Sequence, residues 1–214
     1  MAGNAPRARA TITVLAALAL ACAKTPPPEF FTLRSASGDA AGAPVASRPD
    51  LGVVVGPLTF PRYLDRPEIV SRDGSNRLEV PDAHRWGGSL RDDVLRVVAD
   101  DLGRLLGTAR VAVYPDEPRF AGGYRVLLDV AEFERVTPDK VSLRARVTIA
   151  SLPDGKALVV EDAAVEQPVA SASYDDLVAA ESAALGSVSK RIAERIAELP
   201  ARSATPPAVP RKGR

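Results

Sequence analysis

The sequence predicts an α/β fold, a single domain with a mixed β-sheet covered by two long helices. Three observations carry that expectation. Two segments, around 90–106 and 177–199, repeat apolar residues at the helical period. Several shorter segments alternate apolar with polar residues or are runs of β-branched ones, which is the strand signature. Strands and helices interleave along the chain, and short turn sequences join two of the strand pairs, so crossovers and hairpins share one sheet.

Taken in order, residues 29–34 (EFFTLR) read as a first strand, and residues 35–50, rich in Ala, Gly, Ser and Pro, as a flexible linker. Residues 51–56 (LGVVVG) form a continuous apolar run, the pattern of a strand buried on both faces. Residues 68–72 and 77–80 flank Asp73-Gly74-Ser75-Asn76, which predicts a hairpin. Ser89, with Asp92 three residues on, is a capping pair. Leu90, Val94, Val98, Leu102 and Leu106, widened by Val97 and Leu105, supply the apolar stripe of the helix that follows, and Gly107 can end it.

Residues 110–114 read as a short strand, and in 124–130 Tyr, Val, Leu and Val share one face. Between 141 and 149, Val141, Leu143, Ala145, Val147 and Ile149 alternate with Ser142, Arg144, Arg146 and Thr148, a half-solvated strand. Pro153-Asp154-Gly155 turns the chain so that 157–165 pairs back. The second helix starts near Ser173, with Asp176 as capping partner, and buries Leu177, Leu185, Val188, Ile192, Ile196 and Leu199 before Pro200 stops it. Both stripes are most simply core faces. The basic, Pro-rich remainder lacks periodicity and reads as a disordered tail.

The N-terminus reads as a targeting segment. Arg7 and Arg9 precede an apolar stretch, 12–20, too short to span a bilayer. The chain's one cysteine follows in Leu18-Ala19-Leu20-Ala21-Cys22. This resembles a bacterial lipobox, although Ala19 stands where that motif prefers Leu. Its cysteine takes a diacylglycerol thioether and, with an added N-acyl chain such as palmitate, begins the mature protein. Several acyl chains suffice for stable anchoring. Ala23, rather than Asp, after the cysteine implies the outer membrane in the usual enterobacterial sorting rule. The plain alternative is a cleaved signal peptide with a chance cysteine. The expected organisation is a signal peptide over 1–21, a lipidated tether with first strand and linker over 22–50, a folded domain over 51–199 and a tail over 200–214.

Composition narrows function. Basic and acidic residues nearly cancel, 28 against 27, so no basic field points to nucleic acid. One histidine and one cysteine offer no internal disulfide and little for a metal site. A periplasmic hydrolase would need a nucleophile, a base and an orienting group; no Gly-x-Ser-x-Gly elbow occurs, and His84 would be its one histidine base. No cofactor is expected, and the chain is expected not to be an enzyme.

The stretch 56–90 is distinctive: Gly-Pro after a strand, then Pro61, Tyr63, Leu64, Asp65, Arg66 and Pro67, then Ile69, Val70 and Arg72. Asn76, Leu78 and Glu79 follow, and His84-Arg85-Trp86 precedes the helix. This pattern resembles the PqiC-type family, the auxiliary lipoproteins of ABC-type and MCE-type lipid transport systems, from about residue 22 to 199. The resemblance implies an α/β fold and a non-catalytic role at the periplasmic face of the outer membrane. It also implies partners: an MCE-family periplasmic ring protein with its inner-membrane transport components, and the outer membrane through the Cys22 anchor. Self-association into a homo-oligomer and a lipid-carrying role for the domain itself remain open alternatives. The loop 61–67 is stiffened by two prolines and carries residue types common at binding hot spots. Tyr63, Leu64, Arg66 and Trp86 are therefore candidates for partner contact, against the alternative that they pack on the domain's own core. His84 is expected to be a hydrogen-bonding loop residue.

Overall fold

A strand of three consecutive valines sets the middle of the sheet. In the computed structural model, which describes residues 27–35, 43–72, 76–116, 118, 120 and 122–200, β2 (Val53–Thr59) lies between two parallel neighbours, β6 (Val111–Val113) and β7 (Tyr124–Thr137). Val53, Val54 and Val55 are all buried, as a strand covered on both faces requires. The antiparallel hairpins β7–β8 (Lys140–Ser151) and β8–β9 (Ala157–Pro168) extend the sheet to one side. The sheet is therefore mixed, and β9 forms one edge. A small hairpin, β3 (Ser71–Arg72) with β4 (Leu78–Glu79), joins the far half of β7 where β2 has ended, through Ser71 opposite Arg135.

Two helices cover one face. Helix α1 (Leu90–Leu106) packs on β2 and β6, helix α2 (Tyr174–Glu198) packs on β8 and β9, and the helices pack on each other. Their caps are those read from the sequence. Ser89 and Ser173 side chains accept from the Asp92 and Asp176 N–H groups, and Gly107 adopts φ 59° to close α1. The predicted stripes form the core together with Tyr124, Val126, Leu128 and Val130 of β7 and Val141, Leu143, Ala145, Val147 and Ile149 of β8. The opposite face of β8 and β9 carries cross-strand ion pairs, including Arg146–Asp162 and Lys140–Glu166. One glycine is dictated by backbone approach: at Gly123, φ 112°, a Cβ would lie 2.0 Å from the Gly52 carbonyl oxygen.

The structure departs from the sequence reading at four places. The described part of the expected linker, 43–50, is docked rather than flexible. Its Val45 and Arg48 N–H groups donate to Leu105 and Leu106 carbonyls, and the Arg48 guanidinium donates to Ile196 and Leu199 carbonyls at 2.7 and 2.8 Å. This segment thus satisfies orphan carbonyls at the C-terminal ends of both helices. The first strand, β1, covers Glu29–Phe31 only. Its partner is a strand the sequence did not reveal, β5 (His84–Trp86), in a separate two-stranded parallel sheet. Strand β7 continues well past Val130, across a register shift between Val130 and Glu132. Cys22 and the signal peptide, the tether to residue 26, the turn residues Asp73, Gly74 and Ser75, and the tail 201–214 lie outside the described residues.

Candidate functional site

The motif residues of 61–86 converge on one end of the sheet, built as a loop held from beneath. Leu64 is 2% exposed and Trp86 5%, so both side chains belong to the core and offer little surface to a partner. Trp86 N–H donates to the Pro67 carbonyl and Ile69 N–H to the His84 carbonyl, which bind the loop to β5. Glu68 bridges the two by charge, with Arg66 at 2.9 Å and Arg85 at 3.3 Å. The Arg66 hydrogen bond, the largest influence, holds the Glu68 carboxyl below the usual range. Arg62, Asp65, Arg66 and Pro67 remain exposed on this fixed backbone. Asp65 pairs with Arg91 of α1 at 3.0 Å.

Tyr63 turns inward. Its hydroxyl donates to the Glu134 carboxylate at 3.0 and 3.1 Å, and Arg72 donates to the same group through Nε at 3.1 Å and Nη2 at 2.7 Å. Phe133 N–H supplies a further donor at 3.1 Å. Glu134 is fully buried on β7, so it ties the motif loop, the small hairpin and the central strand together. Burial and the neighbouring Glu134 charge push the Tyr63 hydroxyl up to about 12, so it stays a donor. Glu134 was not singled out by the sequence.

A second carboxyl lies nearby without such partners. Glu181 of α2 is 1% exposed, and among the described residues neither of its oxygens finds a hydrogen-bond partner. Burial pushes its pKa well above the ordinary 4.5; Arg135 opposes that shift and Glu134 adds to it. Arg135 sits over the Tyr174 ring, 5.5 Å from its centroid. His84, expected as a hydrogen-bonding loop residue, instead lies on β5 and stacks on Tyr174 with ring centroids 3.7 Å apart. Its Nε2 is 3.5 Å from Glu29, and its Nδ1 is buried without a hydrogen-bond partner among the described residues. Among the described residues no cluster of three or more His, Cys, Asp or Glu side chains is arranged to hold a metal.

The N-terminal strand forms the other notable surface. Leu33 is buried, its N–H donates to Asp93 of α1, and Arg34 N–H donates to Ser182 of α2. Beside this segment an open groove of about 550 Å³ is lined by Phe30, Phe31 and Arg34 on one side and Asp175, Val178 and Ala179 of α2 on the other. Among the described residues no helix is long and apolar enough to cross a membrane.

The family model for the ABC-type transport auxiliary lipoprotein component matches residues 31–193. Among curated proteins none matches the chain. Solved structures of similar fold include an uncharacterised protein, 14% identical, covering 80% of this chain and 99% of that one with a TM-score of 0.66. Another is a Xanthomonas campestris protein of the DUF330 family, 19% identical, covering 78% of this chain and 92% of that one with a TM-score of 0.60.

Proposed function

Because this chain belongs to the ABC-type transport auxiliary lipoprotein family, we propose that it is a non-catalytic outer-membrane lipoprotein, acylated at Cys22 and facing the periplasm, that docks an MCE-type lipid-transport assembly. The observation that carries the docking role is the construction of the loop 61–67. Leu64, the Trp86–Pro67 hydrogen bond and the Glu68 ion pairs fix its backbone, while Arg62, Asp65 and Arg66 stay in solvent. A surface already ordered before binding loses less entropy when a partner arrives. Of the four candidates for partner contact, Arg66 is the one with an exposed side chain, and Tyr63 ties the loop to Glu134. The partner is the MCE-family ring protein or a second copy of this chain, closing a ring that matches it.

A pull-down of the acylated protein from native membranes, followed by lipid analysis, tests this reading; it should recover an MCE-type ring protein. Changing Cys22→Ser should release the protein from membranes and abolish labelling by a fatty-acid analogue. If that variant still fractionates with the outer membrane and still labels, the anchor is not Cys22. The open groove beside β1 favours a second reading, in which the domain contacts lipid itself. Lipid that co-purifies with the Cys22→Ser protein would support it.

A further inference from the structure

We propose that the groove between the 30–35 segment and α2 is a membrane-docking surface, and that Phe30 enters the interface of the zwitterionic phospholipid bilayer in which the chain is anchored. The proposal rests on the reading of Cys22 as the acylated residue.

Chain length makes the first argument. Only residues 23–28 separate Cys22 from Glu29, where β1 begins. Whatever path they take, they reach at most about 25 Å. A domain of this size is roughly 40 Å across. The tether is thus shorter than the domain, which keeps β1 away from the pole farthest from the membrane when Cys22 is anchored. Beyond Phe31 the chain does not drift from that place, because Leu33 and Arg34 are hydrogen-bonded to both helices.

Surface chemistry makes the second argument. Phe30 is 65% exposed, one of three large apolar side chains so displayed among the described residues, and it stands two residues into the domain after the tether. An exposed aromatic ring at that place loses water contact on entering the headgroup region. Behind it, Val178 and Ala179 give the groove an apolar floor, while exposed Arg34 and Asp175 supply one cation and one anion at its edge. That pairing suits a headgroup carrying both a phosphate and an ammonium, such as phosphatidylethanolamine.

The chain's one cysteine makes the test clean. Acylated Cys22 takes no thiol label, so an introduced cysteine is the one reactive position. The full acylated chain with Phe30→Cys or Val160→Cys is labelled with an environment-sensitive fluorophore and reconstituted in phosphatidylethanolamine–phosphatidylglycerol vesicles. Val160 is 60% exposed, but it alternates with Glu161, which pairs with Arg195 of α2, and so faces the side of the sheet away from the helices. The expected result is several-fold stronger quenching by a lipid-borne quencher at position 30 than at 160, with the reverse order for an aqueous quencher. Melting temperatures equal to the parent's confirm folding. Equal quenching at both positions in protein that floats with the vesicles overturns the docking surface and leaves the anchor standing. Thiol labelling of the parent chain, with no flotation, overturns the anchor reading and this proposal with it.

Discussion

Two glutamates buried to the same depth, on adjacent elements, have opposite surroundings. Glu134 on β7 accepts from Tyr63, from two nitrogens of Arg72 and from a backbone N–H. Glu181 on α2 accepts from none of the described residues, and desolvation drives it towards the protonated form. Depth alone therefore does not decide what a buried carboxyl does; the donors around it do. The first site is a clasp that holds the motif loop against the sheet. The second is a local cost within a largely apolar helix face, which Ser189 also interrupts.

The contrast predicts mutations of opposite sign. Glu134→Ala leaves Arg72 and Tyr63 facing an empty interior. It should destabilise by about 2–4 kcal/mol, less than a fully enclosed pair because Arg72 keeps some water. A loss under about 1 kcal/mol in urea unfolding would show that the clasp is dispensable. Glu181→Met replaces the orphan carboxyl by an apolar chain of similar length and should stabilise by about 1–3 kcal/mol at pH 8.

The pH dependence at Glu181 follows from its raised pKa. The folded chain holds this proton more tightly than the unfolded one, so the Glu181 contribution is fully present below 4.5 and is lost as pH rises through the folded value. The advantage of Glu181→Met should accordingly shrink towards pH 4. An advantage that grew on acidification would contradict the assignment. Tyr63→Phe removes one donor from a clasp that keeps its others and should cost about 1–2 kcal/mol. Thermal unfolding within error of the parent would place the hydroxyl outside the network.

The same contrast marks what was legible in the sequence. Both helices, their caps and the core of β2 and β8 follow local rules of period and capping, and those are visible residue by residue. The clasp is not local: Glu134 meets Tyr63 across 71 positions and Arg72 across 62, and nothing beside Glu134 announces either. One faint signal existed. The buried apolar residues of β7 run on even numbers from Tyr124 to Val130 and then shift to Phe133, the phase change expected of a bulge. Residues 43–50 misled for a different reason: their composition is that of a linker, and their order comes from helix-end carbonyls that only the folded chain presents. Within the motif, sequence could not separate Leu64 and Trp86, which face the core, from Arg66, which faces solvent.

That separation leads to the smallest expected effect on stability and the most direct test of function. Arg66→Glu changes an exposed side chain whose pair with Glu68 is screened by solvent, and Arg85 still pairs with Glu68, so the fold should survive with little change in melting temperature. Co-purification of the full-length protein from native membranes, parent against variant, is the measurement. The account predicts that Arg66→Glu reduces recovery of the MCE-type ring protein or shrinks the oligomer while abundance and melting temperature hold. Undiminished assembly in a normally folded variant would remove the loop from the interface and contradict the docking role built on it.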